Sequence, residues 1–450
     1  MEPQQSIPRR LIALALPVIG LNVLNVLALA VDTAMLGRVP DAEVALAGLG
    51  FAAQLLFLLM VGMMGLTVGS VALVARAHGA GQPQQVHHIV HQATQLTVLL
   101  SVGVAVLGNV LAEPLMRLMG AGPESLHAGL QYMRPLLWGV ALNYLNILYA
   151  ALLRGVGNTR LPFVVALVMN VLNAGLNSIL IPGRFGLPSM GIQGAAHGTL
   201  IAQGVATVLM VGLLSSGRVR HVRLPLRLRR IDAPLARSLI RIGTPAALDM
   251  VVFNAGFLSI VGMLGRIDEV AVAAHGVGLR VQALAFVPGM SIGQATGAMV
   301  GNALGADNPE EARATARSAM VMCMVLMTSL GALFIQFTQP MLALFDVAPD
   351  TSLAVHTTTW IRLLGIGMPA VAFYIALMGV FRGSGATHIS LRINLVATLM
   401  QIPLSAILGF WAGLGTLGVW MAFPIALAVK STLAIRAYRK GDWAQTGATR

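Results

Sequence analysis

The stretch that decides the fold is ALALPVIGLNVLNVLALAVDTAMLG, which runs from Ala13 to Gly37. It is apolar and long enough to cross a bilayer as a helix, yet its second half carries a carboxylate, Asp32. An ionisable residue inside a membrane is costly and usually faces a cavity or polar partners. Asn22, Asn25 and Asp32 share one face of such a helix. Pro17 removes a backbone donor a few turns earlier, so we expect a hinge in this helix.

The composition is that of a polytopic membrane protein. The chain has 450 residues, of which 57% are hydrophobic and 10% charged, and its mean hydropathy is +0.80. Soluble domains carry about 25% charged residues. A single cysteine, Cys323, excludes an intramolecular disulfide and a thiolate metal cluster. The sequence has no phosphate-binding loop and no nucleophile-with-base motif, so we expect no enzyme activity, no cofactor and no metal.

Apolar runs of about 20 residues recur along the chain, which predicts an all-α protein with twelve transmembrane helices. The predicted spans lie near 11–36, 46–75, 89–112, 130–153, 161–182, 191–215, 240–264, 272–303, 317–342, 360–381, 390–411 and 415–436. The formal net charge of +13 is concentrated in connectors, above all in a basic linker, and basic residues lack interleaved aromatics. This distribution argues against nucleic-acid binding. By the positive-inside rule, it also predicts that both termini are cytoplasmic. The linker arginines are Arg218, Arg220, Arg223, Arg227, Arg229, Arg230, Arg237 and Arg241.

The sequence repeats itself with an offset of about 228 residues. The turn Arg154-Gly-Val-Gly-Asn-Thr159 matches Arg382-Gly-Ser-Gly-Ala-Thr387, and Pro17 matches Pro245. Two halves of six spans each insert the same way up, so they would be related by a pseudo-two-fold axis along the membrane normal. We therefore predict an N-lobe (1–217), a basic cytoplasmic linker (218–239) and a C-lobe (240–450). This is the plan of a transporter with a substrate cavity between two lobes.

Asp32 is the residue that we expect to couple transport to an ion. An apolar setting disfavours the charged form of Asp32 and contact with water favours it, so Asp32 is a candidate proton carrier or sodium ligand. Alternatively, Asp32 could serve only as a hydrogen-bonding contact between helices. Asn170, Asn173 and Asn177 form one polar face of the fifth predicted span and are its expected partners, because amides both donate and accept hydrogen bonds. They could also serve only as interhelical contacts.

A second group of polar residues could line a substrate cavity or could merely pack. Asp249 follows Pro245 by four residues, and it is the only other acid inside a predicted span. Arg280 lies within an apolar run and could reach the interface, pair with an acid or line the cavity. The further cavity candidates are Asn22, Asn25, Asn143, Tyr144, Asn146, Tyr149, Gln294 and Tyr374.

Taken together, these motifs resemble those of the multidrug and toxic compound extrusion (MATE) family over essentially the whole chain. The resemblance rests on Pro17 with Val31-Asp32-Thr33, on Leu73-Val74-Ala75-Arg76 with Gly79-Ala80-Gly81, on the paired turns at 154–159 and 382–387, on Asn173 with Asn177, and on Val300-Gly301 with Leu304-Gly305-Ala306. It implies a twelve-helix antiporter that exports cationic or amphipathic compounds in exchange for H⁺ or Na⁺. It also implies that Asp32, Asn173 and Asn177 match the family's N-lobe cation site.

Two departures indicate a particular branch. Many relatives carry a glutamate eight residues after the proline of span seven, where this chain has Phe253, and an acid in span ten, where it has Val371. The chain is therefore most similar to the bacterial DNA-damage-inducible (DinF-like) branch, which implies proton coupling through Asp32. We expect a monomeric, multi-pass protein of the bacterial inner membrane that exports small-molecule drugs or toxic compounds. A sodium-coupled antiporter and a flippase for lipid-linked precursors are the alternatives; a channel or receptor does not explain the two lobes.

Overall fold

The computed structural model describes residues 6–219, 221–224, 230–345 and 347–445. Every regular element within these ranges is helical. The first half contains α1 (Ile7–Leu36), α2 (Ala42–Gly79), α3 (Pro83–Leu118), α4 (Pro123–Trp138), α5 (Val140–Gly155), α6 (Arg160–Leu180) and α7 (Gly191–Ser215).

The second half contains seven further α-helices and two short irregular turns. The helices are α8 (Ala233–Ile267), α9 (Glu269–Gly305), α10 (Pro309–Gln336), α11 (Thr338–Leu344), α12 (Ser352–Gly383), α13 (Thr387–Ala406) and α14 (Gly415–Lys440). A π-helical turn, Ile407–Trp411, extends α13, and a 3₁₀ turn, Asp442–Ala444, follows α14.

Eleven of the helices in the described ranges are long and apolar enough to cross a membrane, and α4 with α5 makes a twelfth span if the pair is counted as one. The predicted all-α membrane fold is therefore confirmed. The span predicted near 130–153 corresponds to α4 and α5, which meet at Gly139 with a bend of 59°. Pro135 cannot donate within α4, and a side chain at Gly139 would collide with Leu200 of α7, so this glycine permits both the bend and the close packing.

Contacts between helices divide the chain into two compact units. Among the described residues, the first unit contains those of Gly20–Thr244, and the second contains 6–19 together with 245–445. In the first unit α2 packs against α3, α4 and α5, while α6 packs against α7. In the second unit α12 packs against α9, α10 and α14. The lobes expected from the repeat, with limits at 1–217, 218–239 and 240–450, remain a prediction.

The basic linker ends in a set of hydrogen bonds to α3. His88 Nε2 lies 2.8 Å from Asp232 Oδ2, and Gln92 bonds to both the Arg230 carbonyl (3.0 Å) and the Asp232 amide (3.1 Å). Asp232 Oδ1 accepts from Leu235 N at 3.1 Å at the start of α8. The hydrogen bond from His88, followed by that from Leu235, lowers the pKa of Asp232. The linker residues Arg220, Arg227 and Arg229 lie outside the described residues.

Paired glycines bring α9 and α12 into backbone contact within the second unit. Gly293 and Gly297 lie one turn apart on α9, and Gly379 and Gly383 lie one turn apart on α12. A Cβ added at Gly297 would lie 2.9 Å from the Gly379 carbonyl oxygen. Small residues at this spacing let membrane helices approach closely, and association then depends on packing rather than on the hydrophobic effect.

Replacing Gly297 by alanine is therefore expected to lower the melting temperature of the purified protein. The added methyl group must push two backbones apart, and overpacking of this kind costs about 1–3 kcal/mol. Gly276→Ala on the same helix is the matched control, because nothing lies within 4 Å of a Cβ added there. Equal melting temperatures for the two variants would contradict this account of the helix contact.

Candidate functional site

The candidate coupling site is centred on Asp32, in the second half of α1. Its side chain is only 8% exposed, whereas Leu29 and Val31 on the same helix are 57% and 36% exposed. The helix thus turns its one acid inward and presents apolar side chains outward, as a membrane helix should when it carries an ionisable residue. The site is therefore buried among neighbouring helices of the first unit.

Two amides of α6 meet the Asp32 carboxylate. Asn177 Nδ2 donates to Asp32 Oδ1 at 2.7 Å, and Asn177 is fully buried. Asn173, one turn earlier, donates from Nδ2 to the same oxygen at 3.2 Å in the orientation that satisfies both ends of its amide. Its own Oδ1 then accepts from Thr199 N at 3.3 Å. Both of these hydrogen-bonding partners of Asp32 are neutral amides. Such partners can accommodate the carboxyl group with or without its proton.

Three further residues complete the site, and the sequence did not single them out. Thr199 on α7 contacts Asn173, as described above. Gly198, its neighbour, lies directly against Asn177 Oδ1, so that a side chain at this position would displace the amide. Tyr132 on α4 is buried and lies within electrostatic reach of Asp32. These positions depend on how α4 and α7 pack, and no local sequence signal marks them.

The other polar residues predicted on the same two helices do not join this site. Asn170 donates to the Ala166 carbonyl of its own helix at 2.7 Å. Asn22 is partly buried and Asn25 is exposed. Pro17 lies inside α1, which is assigned as one helix from Ile7 to Leu36.

The polar residues expected from the fourth predicted span lie on α5, and most of them make structural contacts. Tyr144 is 2% exposed, and its hydroxyl donates to the Leu59 carbonyl at 2.8 Å. Asn146 donates to the Gln203 carbonyl at 3.1 Å, and Tyr149 is 1% exposed. Asn143 is partly buried.

Asp249 in α8 has a very different environment from that of Asp32. It is 2% exposed, and its Oδ2 accepts from Arg382 Nη2 at 2.9 Å. Its Oδ1 accepts from Asn394 Nδ2 at 2.8 Å. Both carboxylate oxygens thus accept hydrogen bonds, one of them from a permanent cation.

The remaining candidates of the second unit are scattered. Tyr374 is partly buried and lies near Asp249, whereas Gln294 is partly buried on α9 and Arg280 is exposed there. Lys430 on α14 was not anticipated: it is 5% exposed and lies close to Asp249. In the ranges given above, no three or more His, Cys, Asp or Glu side chains converge as metal ligands would.

A family model, MatE, matches the chain twice, at residues 17–179 and 245–407. The chain belongs to the MatE family. The second match begins and ends 228 residues after the first (245 − 17 and 407 − 179), so the internal repeat expected from the sequence is the repeat of the family itself. The first match begins at Pro17 and contains Asp32, Asn173 and Asn177.

Individual relatives are similar to this chain over nearly its full length. The chain is 26% identical to the probable multidrug resistance protein NorM of Thermotoga maritima, over 98% of this chain and 95% of the relative. Crystal structures of a MATE protein in the bent and in the straight conformation superpose with TM-scores of 0.89 and 0.88. The sequences of the two crystal structures are 22% and 23% identical to this chain. Each superposition covers 97% of this chain and 95% or 96% of the crystal structure, so the likeness establishes the fold.

Membership of the MatE family defines the class of protein. MatE proteins are transporters, so the chain is a multi-pass membrane transporter rather than an enzyme. The expected similarity to the DNA-damage-inducible branch remains a prediction.

Proposed function

We propose that this MatE transporter is a multidrug efflux antiporter that exports cationic or amphipathic compounds in exchange for protons. The exported class follows the names of relatives such as the NorM protein of Thermotoga maritima. The proposal places the chain in the bacterial inner membrane as a monomer, with both termini in the cytoplasm, as the distribution of basic residues favours. Transport proceeds by alternating access, with Asp32 as the group that binds and releases the proton.

The observation that carries the proposal is the contrast between the two intramembrane acids. Asp249 is held by Arg382, so its charge is compensated in place. Asp32 is equally buried but accepts hydrogen bonds from the amides Asn173 and Asn177. Amide partners can stabilise the carboxylate and, after rotation, accept from the protonated acid. Asp32 is therefore the acid whose charge can change with little disruption of its surroundings.

The position of Pro17 supports a conformational response in α1. The compact units divide this helix between Ile19 and Gly20, within one turn of the proline, and the second unit resumes at Pro245. A proline interrupts the hydrogen-bond ladder at a defined place, and helices kink there. We propose that protonation of Asp32 loosens its contact with α6 and that α1 bends at Pro17. The bent and straight conformations described for similar MATE structures fit this motion.

Sodium is the alternative coupling ion, since a carboxylate and two amides could coordinate a cation through oxygen. The orientation of Asn177 favours the proton instead. Asn177 directs its nitrogen, not its oxygen, at Asp32, and Asn173 does the same in the orientation that satisfies both ends of its amide. Asn177 Oδ1 faces Gly198 and has no hydrogen-bond partner in the described structure. Asn177 could coordinate a sodium ion at Asp32 through oxygen only if its amide rotated.

The test is export of ethidium, a fluorescent cation, by the purified protein in proteoliposomes. A pH gradient and a sodium gradient are imposed separately, with vesicles lacking protein as the blank. The proposal predicts that the pH gradient alone drives export. Export driven by sodium alone would replace the proton by sodium, and export by neither gradient would remove the antiporter function.

A further inference from the structure

The second unit contains a cluster with more positive than negative charge, in which Asp249 and Lys430 are buried and Arg382 is partly buried. Arg382 and Lys430 both lie near Asp249, the one carboxylate of the cluster. Asp249 already accepts from Arg382 at 2.9 Å and from Asn394 at 2.8 Å. With one acid and two cations, the cluster carries a formal charge of +1. A net charge of this kind inside a membrane protein is costly unless a partner compensates it.

Lys430 is the cation that lacks such a partner. Lys430 is only 5% exposed. No carboxylate of the described residues forms an ion pair with it. Its ammonium group lies 5.8 Å from the ring centre of Phe253 and 5.4 Å from that of Tyr374. Aromatic rings compensate a cation only partly. In addition, Arg382 Nε is buried without a hydrogen-bond partner in this part of the chain.

The choice of residue at this position is informative. The chain contains 27 arginines and only two lysines, Lys430 and Lys440. Lys440 lies at the end of α14 and pairs with Asp442 at 2.9 Å with 74% of its side chain exposed. Lys430 is therefore the only lysine within an apolar span. An ammonium group is a compact point charge that can pair with a single anionic group, whereas a guanidinium prefers two parallel contacts.

One of the two aromatic rings beside Lys430 is exposed. Phe253 is 47% exposed, and Tyr374 is only partly buried. A molecule lying against the Phe253 ring would place an attached acidic group next to the ammonium of Lys430. The apolar rings suit the body of an amphipathic molecule, and the uncompensated charge suits its anionic end.

We propose that Lys430, with Phe253 and Tyr374, forms a binding site for amphipathic carboxylates in the second unit. The inference rests on the proposed efflux function, since it adds organic acids and zwitterions to the compounds that the transporter exports. Lys430 supplies the charge that meets the carboxylate, and the two rings contact the apolar part. Arg382 and Asn394 hold Asp249 in place, so that this acid does not neutralise Lys430 directly.

The test compares two probes that share the dansyl group and the phenyl ring but differ in charge: dansyl-phenylalanine, which carries a carboxylate, and its uncharged methyl ester. Binding to the full-length protein in a non-ionic detergent is followed by dansyl fluorescence. The wild type is expected to bind the carboxylate about tenfold more tightly than the ester. Lys430→Met should abolish this preference while ester binding remains, because methionine fills a similar volume without charge. Lys430→Arg should keep part of the preference.

Lys440→Met is the matched control, since it removes the other lysine, which is exposed and lies at the end of α14. It should bind both probes as the wild type does. The proposal is overturned if the wild type shows no preference for the carboxylate, or if Lys430→Met keeps it. A preference that added phosphatidylglycerol abolishes would assign the site to a lipid phosphate instead. Because binding is measured without a gradient, a failure of proton-driven export leaves this result unaffected.

Discussion

Asp32→Asn is expected to reduce strongly the ethidium export that a pH gradient drives. Asparagine keeps the size of the side chain and can still bond to Asn177, but it cannot bind and release a proton. Coupling free energies in such systems are about 1–3 kcal/mol, which corresponds to a loss of roughly 5- to 150-fold. Export is measured in proteoliposomes with equal amounts of wild-type and variant protein, and intact folding is checked by the melting temperature.

Asp41→Asn provides the matched control for this experiment. It makes the same chemical change nine residues later, at an exposed position between α1 and α2. Asp41 has a φ of 60°, and asparagine tolerates this left-handed backbone. The control should therefore export as the wild type does. Normal gradient-driven export by Asp32→Asn would exclude Asp32 from the coupling mechanism.

Gly198→Ala is expected to impair export through a residue that carries no polar side chain. Its added methyl group would occupy the space of Asn177 Oδ1 and push the amide away from Asp32. A hydrogen bond to a charged group contributes about 1.5–3 kcal/mol, so its loss should reduce coupled export roughly tenfold or more. Gly198 would thus act as a positioning residue for the site rather than as a ligand.

Two comparisons separate this effect from a general disturbance of α7. Gly212→Ala lies on the same helix where nothing is within 4 Å of an added Cβ, so it should export normally. If Gly198 acts through Asn177, then adding Gly198→Ala to Asn177→Ala should cause little further loss, because coupled residues are not additive. Independent, fully additive losses would show that Gly198 does not act through the amide.

The fold was largely predictable because the bilayer imposes the length of each span. Apolar runs in the sequence indicated where the eleven membrane helices lie, and the internal repeat indicated the two similar halves of the chain. The bend between α4 and α5 was not predictable from the same signal. Hydropathy continues without interruption through Pro135 and Gly139, and membrane helices tolerate both residues without breaking. Leu200 packs closely against Gly139 at the bend, and only the packed structure shows this contact.

The candidate site was predictable in part for a similar reason. An acid inside an apolar run is rare, so Asp32 and the amides Asn173 and Asn177 stood out, and the structure brings all three together. Gly198 did not stand out because its role lies in the absence of a side chain. Lys430 did not stand out because Arg436, Arg439 and Lys440 follow it on the same helix. Its rarity among 27 arginines was the available signal.

The most direct test of the central claim, that Asp32 exchanges its proton for drug, is proton release by the purified transporter on drug binding. Ethidium is added to the protein in weakly buffered detergent solution, and a pH-indicator dye records the protons released. The account predicts net release by the wild type and by Asp41→Asn, and none by Asp32→Asn. Equal release by wild type and Asp32→Asn, or no release by the wild type at any pH at which ethidium binds, would contradict it.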